Sequence, residues 1–182
     1  MTTSSANHLD CHAREQANRS TPVHTMVKDL LTLASEHEYD EYARYYGLSL
    51  RFLTYHIGVS RLLQALAEES QQRVQCLIDV AASLSMGLPR LRRPAMSPCP
   101  DLHGQSHFFI YDDEMAAQEL SRALLDQWRS RRFYERLQAY NAIPDLNAWL
   151  NDCIGQCRAQ FQILHEARDR LPGLTRAKAC GA

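Results

Sequence analysis

Apolar residues recur at three- and four-residue steps through most of the chain. Leu30, Leu31, Ala34, Tyr42, Tyr45, Leu48 and Phe52 form one stripe, which predicts an amphipathic helix from Thr25 to between Thr54 and Gly58. Ser60 is placed to cap a second helix carrying Leu63, Leu66, Ala67, Val74, Leu77, Ile78 and Ala81, running to about Met86 with Gly87 as its stop. Pro89, Pro94, Pro98 and Pro100 then exclude a helix, so residues 87–111 read as a long crossover, packed down by the Phe108–Tyr111 run. Asp112 or Asp113 caps a third helix through Ala117, Leu120, Leu124, Trp128, Phe133 and Leu137. Asn141–Pro144 turns the chain into a fourth helix, from about Asp145 to Leu171. Residues 1–24 lack periodicity and read as a disordered leader, and 173–182 as a tail. The predicted architecture is all-α: two antiparallel helical hairpins over residues 25–172, joined by one long connection into a four-helix bundle.

Composition narrows the function classes. The 182 residues are 45% apolar, enough for one buried core. Twenty Lys+Arg against 21 Asp+Glu leave a net charge of −1, so no basic field draws nucleic acid. No apolar run reaches the roughly 20 residues that span a bilayer, and residues 1–22 lack a signal-peptide core. The expectation is a cytoplasmic protein with neither membrane nor nucleic-acid partners. No phosphate-binding loop, dinucleotide fingerprint, serine-hydrolase elbow or HExxH zinc motif occurs.

The six cysteines contain no CxxC pair. Cys153 and Cys157 share one helix face and read as small buried apolar residues, against a thiolate metal site, joined by Cys76, or a redox pair. His103 and His107, with Cys99, lie on the crossover and read as loop histidines rather than a zinc or copper site. His165, beside Glu166, flanks the fourth stripe and suits a surface role. The run Trp128-Arg-Ser-Arg-Arg-Phe-Tyr134, like Arg90–Arg93, reads as a solvated face rather than a stacking surface, with Trp128 and Phe133 on the apolar stripe. Gly47 and Gly155 fall inside helices and suggest close approach or a bulge.

An internal repeat accompanies the pattern. A shift of 89 carries Leu31, Ala34, Tyr45 and Leu48 onto Leu120, Ala123, Tyr134 and Leu137. A shift of 87 carries Leu63 and Leu77 onto Leu150 and Leu164. The first helix reads Leu33-Ala-Ser-Glu-His-Glu38-Tyr-Asp-Glu-Tyr-Ala-Arg-Tyr45, the second Leu66-Ala-Glu-Glu-Ser70-Gln-Gln-Arg73. The third reads Ala123-Leu-Leu-Asp-Gln127 and then Phe133-Tyr134-Glu-Arg-Leu137, the fourth Ile154-Gly-Gln-Cys157-Arg-Ala-Gln160. Over residues 28–170 this framework resembles the rubrerythrin-like branch of the ferritin-like superfamily. In such bundles two helices each give a Glu and two give Glu-x-x-His to a di-iron centre.

The resemblance implies six ligand positions: Glu38, Ser70, Arg73, Gln127, Cys157 and Gln160. Only Glu38 keeps the family's residue. Arg is a fixed cation, and Ser and Gln are poor iron ligands. The reading is a bundle that has lost its di-iron site and needs no cofactor, with Arg73 paired to a buried Glu38, Gln127 and Gln160 adding neutral hydrogen bonds, and Cys157 filling volume. The implied function is a non-catalytic structural, regulatory or stress-related protein, a homodimer or bound to a protein partner. The alternative is an iron-binding protein or oxidoreductase with a rearranged site at Glu38, Glu69 and Cys157.

Overall fold

A computed structural model of the chain describes residues 7–85 and 108–171, and of residues 7–24 the backbone alone. The described residues form four helices and no strand: α1 (Asn7–Phe52), α2 (Ile57–Ser83), α3 (Asp113–Tyr140) and α4 (Pro144–Asp169). The all-α expectation is met. α1 begins at Asn7 rather than Thr25, so part of the expected leader continues its backbone. Ala13, Arg14, Glu15, Gln16 and Ala17 are good helix formers, and extending an existing helix adds a hydrogen bond per residue without needing an apolar stripe. Residues 1–6, most of the crossover and the tail lie outside the described residues.

The helix ends show local chemistry at work. Asp112 caps α3, its Oδ1 accepting from the Met115 N–H at 2.7 Å. Proline opens α4, where its missing N–H costs nothing. The cap of α2 is not Ser60 but His56, whose Nδ1 accepts from the Val59 N–H at 3.2 Å. Ser60 lies one turn inside, and its hydroxyl donates to the Ser49 carbonyl at 2.8 Å, tying α2 back to α1. α2 stops at Ser83 without reaching Gly87, and Ser85 takes a left-handed backbone (φ 55°) at the exit.

Contacts fix the direction of each helix. α1 packs on α2 and α3 on α4 through short turns, and α2 also touches α4. Side chains of α1 reach α3 in reversed order: Glu38 to Tyr134, Tyr45 to Gln127, Arg51 to Glu119. α2 and α4 are likewise antiparallel, with Glu69 bonded to Gln160 and the Arg73 carbonyl to Trp149. α2 and α3 therefore run the same way, so α3 begins at the end of the bundle opposite to where α2 stops. The described end of the connection is pinned at α1, where Ile110 donates to the Arg51 carbonyl at 3.0 Å and Arg51 Nε to the Phe108 carbonyl at 3.0 Å. Of the Phe108–Tyr111 run only Ile110 is buried, while Phe109 and Tyr111 face outward.

Two apolar clusters fill the interior. One, near the α1–α2 turn, holds Phe52, Leu63, Leu66, Leu120 and Leu164. The other, toward the opposite end, holds Leu31, Leu77, Tyr134, Leu146, Trp149 and Leu150. Each such fully buried side chain contributes about 1.5–3 kcal/mol. Glu38, Ser70, Arg73, Gln127 and Gln160 fall between the two clusters, with Cys157 at the edge of the second, so the hydrophobic packing encloses a polar layer at mid-height.

Candidate functional site in the bundle core

All six positions read from the sequence are buried: Glu38, Ser70, Arg73, Gln127, Cys157 and Gln160. Arg73 from α2 is the hub. Its Nε donates to Glu38 Oε1 at 2.7 Å, Nη1 to Gln156 Oε1 at 3.0 Å, and Nη2 to Ser70 Oγ at 2.9 Å. The Tyr134 hydroxyl, from α3, donates to the same Glu38 oxygen. The Trp149 indole N–H donates to the Arg73 carbonyl at 3.2 Å. One guanidinium thus links α1, α2 and α4, and a tyrosine brings in α3.

A second set, centred on two amide side chains, lies beside it. Tyr45 donates to Gln127 Oε1, Gln127 Nε2 donates to Gln160 Oε1 at 2.8 Å, and Gln160 donates onward to Glu69. The two glutamines bond to each other rather than to Glu38. Glu69 is half-buried, its Oε2 accepting from Gln160. Among the described residues no group of three His, Cys, Asp or Glu side chains is placed to hold a metal ion.

The two sets are related by the internal repeat. A shift of 89 turns Glu38, Glu41 and Tyr45 into Gln127, Ser130 and Tyr134. A shift of 87 turns Glu69, Ser70 and Arg73 into Gln156, Cys157 and Gln160. The hydrogen bonds obey the same exchange. Arg73 bonds Glu38 and Gln156, while Gln160 bonds Gln127 and Glu69. Tyr134 bonds Glu38, and Tyr45 bonds Gln127. Ser130 and Glu41, which exchange with each other, are hydrogen-bonded together. The core polar layer is a quasi-twofold pair of half-sites, one centred on the Glu38–Arg73 ion pair and the other on the Gln127–Gln160 amide pair, with Glu69 at its edge.

Burial governs the electrostatics. It pushes the Glu38 carboxyl above its ordinary value of 4.5, against the pull of Arg73's charge and hydrogen bond and of the Tyr134 hydroxyl. Burial also disfavours the Arg73 cation, but Glu38 outweighs it and holds the guanidinium protonated. Glu38 Oε2 and Glu41 Oε2 are buried without a hydrogen-bond partner. Burial raises Tyr45 and Tyr134 well above 10, so both stay neutral donors. It lifts the Cys153 thiol, and that of Cys157 to about 12, leaving both as un-ionised packing groups.

Several participants escape a reading of the sequence. Glu41 is as buried as Glu38 and is held by Ser130 and Arg44. His37 stacks on Phe133 at 4.1 Å and contacts Ser130 Oγ at 3.1 Å. Burial, then Arg44 and Arg73, depress it from 6.5 to about 4, so it is neutral. Other expectations resolve simply. His165 faces Asp169 at 3.4 Å on the outer surface. A side chain at Gly155 would meet nothing within 4 Å, so that glycine serves no close approach. Trp128 is 48% exposed and leaves the stripe. Cys99, His103, His107 and Arg90–Arg93 lie outside the described residues.

The donor set does not fit a pair of divalent ions. At an effective dielectric constant of about 20, a divalent ion about 4 Å from Arg73 would meet about 8 kcal/mol of repulsion, as much as Glu38 could return at that distance. No helix here is long and apolar enough to cross a membrane, among the described residues. No family model, curated protein or solved structure matches the chain.

Proposed function

We propose that the chain is a ferritin-like bundle, of the rubrerythrin-related kind, in which an internal ion pair stands where a di-iron centre would, and that it acts as a non-catalytic structural or interaction protein of the cytoplasm. The observation that carries this reading is Arg73, whose guanidinium occupies the middle of the polar layer 2.7 Å from Glu38. Helix directions support it: the long connection joins two parallel, diagonal helices, as in that bundle variant. The quasi-twofold exchange of the half-sites supports it too, since duplicated hairpins give such a pattern.

The core side chains act on one another. Arg73 cross-links three helices, Tyr134 and Tyr45 tie α3 to α1, and the glutamines carry neutral hydrogen bonds across to α4. Such a network fixes helix register at some cost in stability relative to an apolar core. The thiols and phenols of the network keep their protons near neutral pH, so none of them is a free nucleophile. The rigid unit leaves its outer faces for contact with another protein or a second copy.

Loading with Fe(II) under argon, desalting and counting metal per chain tests the reading. Near-zero iron and an unchanged melting temperature are expected. One or two retained irons, lost in Glu38→Ala, would overturn it in favour of a rearranged centre.

A further inference from the structure

Three large apolar side chains stand in the open on the second hairpin. Leu125 and Trp128 of α3 are each 48% exposed, and Phe161 of α4 is 37% exposed. The α3–α4 register, fixed by the Gln138–Asn151 and Gln127–Gln160 bonds, sets Phe161 at the level of Trp128 and Arg158 at the level of Arg131. Trp128 and Phe161 are thus exposed at one level of the second hairpin, with Leu125 one turn from Trp128 along α3. Scattered exposed apolar residues are ordinary, but three gathered within about one helical turn, with two aromatics among them, mark a contact surface.

The same hairpin carries positive charge. Arg131 and Arg132 share one carboxylate, Glu135, at 3.4 and 2.9 Å. Arg136 and Arg158 are exposed, with no carboxylate partner among the described residues. Four guanidinium groups thus face one carboxylate, in a chain whose net charge is −1. Every cation here is Arg and none is Lys. Arg grips carboxylates with a planar fork and stacks on aromatic rings, and it is enriched with Trp and Phe where proteins meet.

We propose that this α3–α4 face is a docking surface for an acidic, amphipathic segment of a partner protein, its apolar side chains seated on Leu125, Trp128 and Phe161 and its carboxylates on the arginines. Charge complementarity selects that occupant, and the near-neutral chain lacks the extended basic field that nucleic acid requires. The inference rests on reading the bundle as an interaction scaffold, but it concerns a surface that the iron experiment does not touch.

The test uses fluorescence of the full chain. Trp149 is buried and Trp128 half-exposed, so changes in emission on binding report this face. The probe is an amphipathic peptide of about five helical turns with Glu on one face and Leu on the other. Its controls are the same peptide with Gln for Glu, and oligothymidine. The acidic peptide is expected to shift Trp128 emission, with the signal lost in Trp128→Phe. Its affinity should fall about tenfold in Arg136→Glu/Arg158→Glu, and severalfold between about 50 and about 300 mM salt. Neither arginine has an ion pair to break, and an unchanged thermal melt of the double variant checks the fold. Absence of binding, equal binding of the Gln peptide, or a preference for oligothymidine would overturn the proposal. So would concentration-dependent self-association abolished by Trp128→Ala without peptide binding, which would give the face to a second copy. Iron retention together with peptide binding would overturn the reading of the core alone.

Discussion

Replacing Arg73 with methionine keeps much of the side-chain volume and removes the guanidinium. Glu38, fully buried and already carrying one unpartnered oxygen, then keeps only the Tyr134 hydroxyl as a donor. Three hydrogen bonds, at 2.7, 3.0 and 2.9 Å, vanish with the guanidinium. Stranding one member of a buried pair costs about 3–5 kcal/mol, which in a domain of this size lowers the melting temperature by about 10 °C. The loss depends on pH. Burial already raises Glu38 above 4.5, and removing Arg73 removes its main opposing influence. A carboxyl whose folded pKa is raised supports folding fully below its unfolded value, and that support disappears as pH rises through the folded value. Arg73→Met should therefore differ most from wild type at pH 8 and least near pH 4. The amide half-site supplies the rescue. Glu38→Gln/Arg73→Gln copies the Gln127–Gln160 pair beneath Tyr45, so the double variant should unfold within about 1 kcal/mol of wild type. Urea titrations of the three proteins at several pH values measure all of this. A single variant as stable as wild type, or a double variant no better than the single, would refute the argument.

Other consequences follow from the same geometry. Tyr134→Phe removes a donor to a charged group and should cost about 1.5–3 kcal/mol, whereas Tyr45→Phe, which serves a neutral glutamine, should cost about 1 in the same urea assay. His37 is depressed from 6.5 to about 4, so the stability it confers is present above pH 6.5 and is lost as pH falls toward 4, an effect of about 3 kcal/mol. His37→Gln should flatten that part of the melting-temperature profile. Alkylation followed by peptide mapping should find Cys76 labelled in the native protein and Cys153 and Cys157 protected until it unfolds.

Much of the fold is legible in the sequence because a 3.6-residue apolar stripe has one geometric solution. The Asp112 cap, the Asn141–Pro144 turn and the burial of Leu31, Leu63, Leu120 and Leu150 all follow from it. The Glu38–Arg73 pair is legible by another route, the resemblance, whose ligand positions set both residues inside the bundle, where a buried carboxylate needs a charge partner. Glu41 is not legible in the same way. The segment Glu36–Arg44 carries four carboxylates, and composition alone does not tell which of them turn inward. The repeat holds the missing signal, because the shift that relates Tyr45 to Tyr134 also sets Glu41 against Ser130. Trp128 misleads for the opposite reason: a large aromatic beside a stripe is counted as core, although helix geometry carries it round to the solvent side. The start of α1 is hidden because polar helix formers leave no periodic trace.

The central claim is that Arg73, rather than metal, neutralises Glu38 inside the bundle. The most direct measurement is a crystal structure of protein soaked in Mn(II), with anomalous maps at the polar layer. Arg73 Nε should remain within hydrogen-bond distance of Glu38 Oε1, with no anomalous peak between Glu38 and Gln127. A peak there, with the guanidinium swung away, would contradict the account.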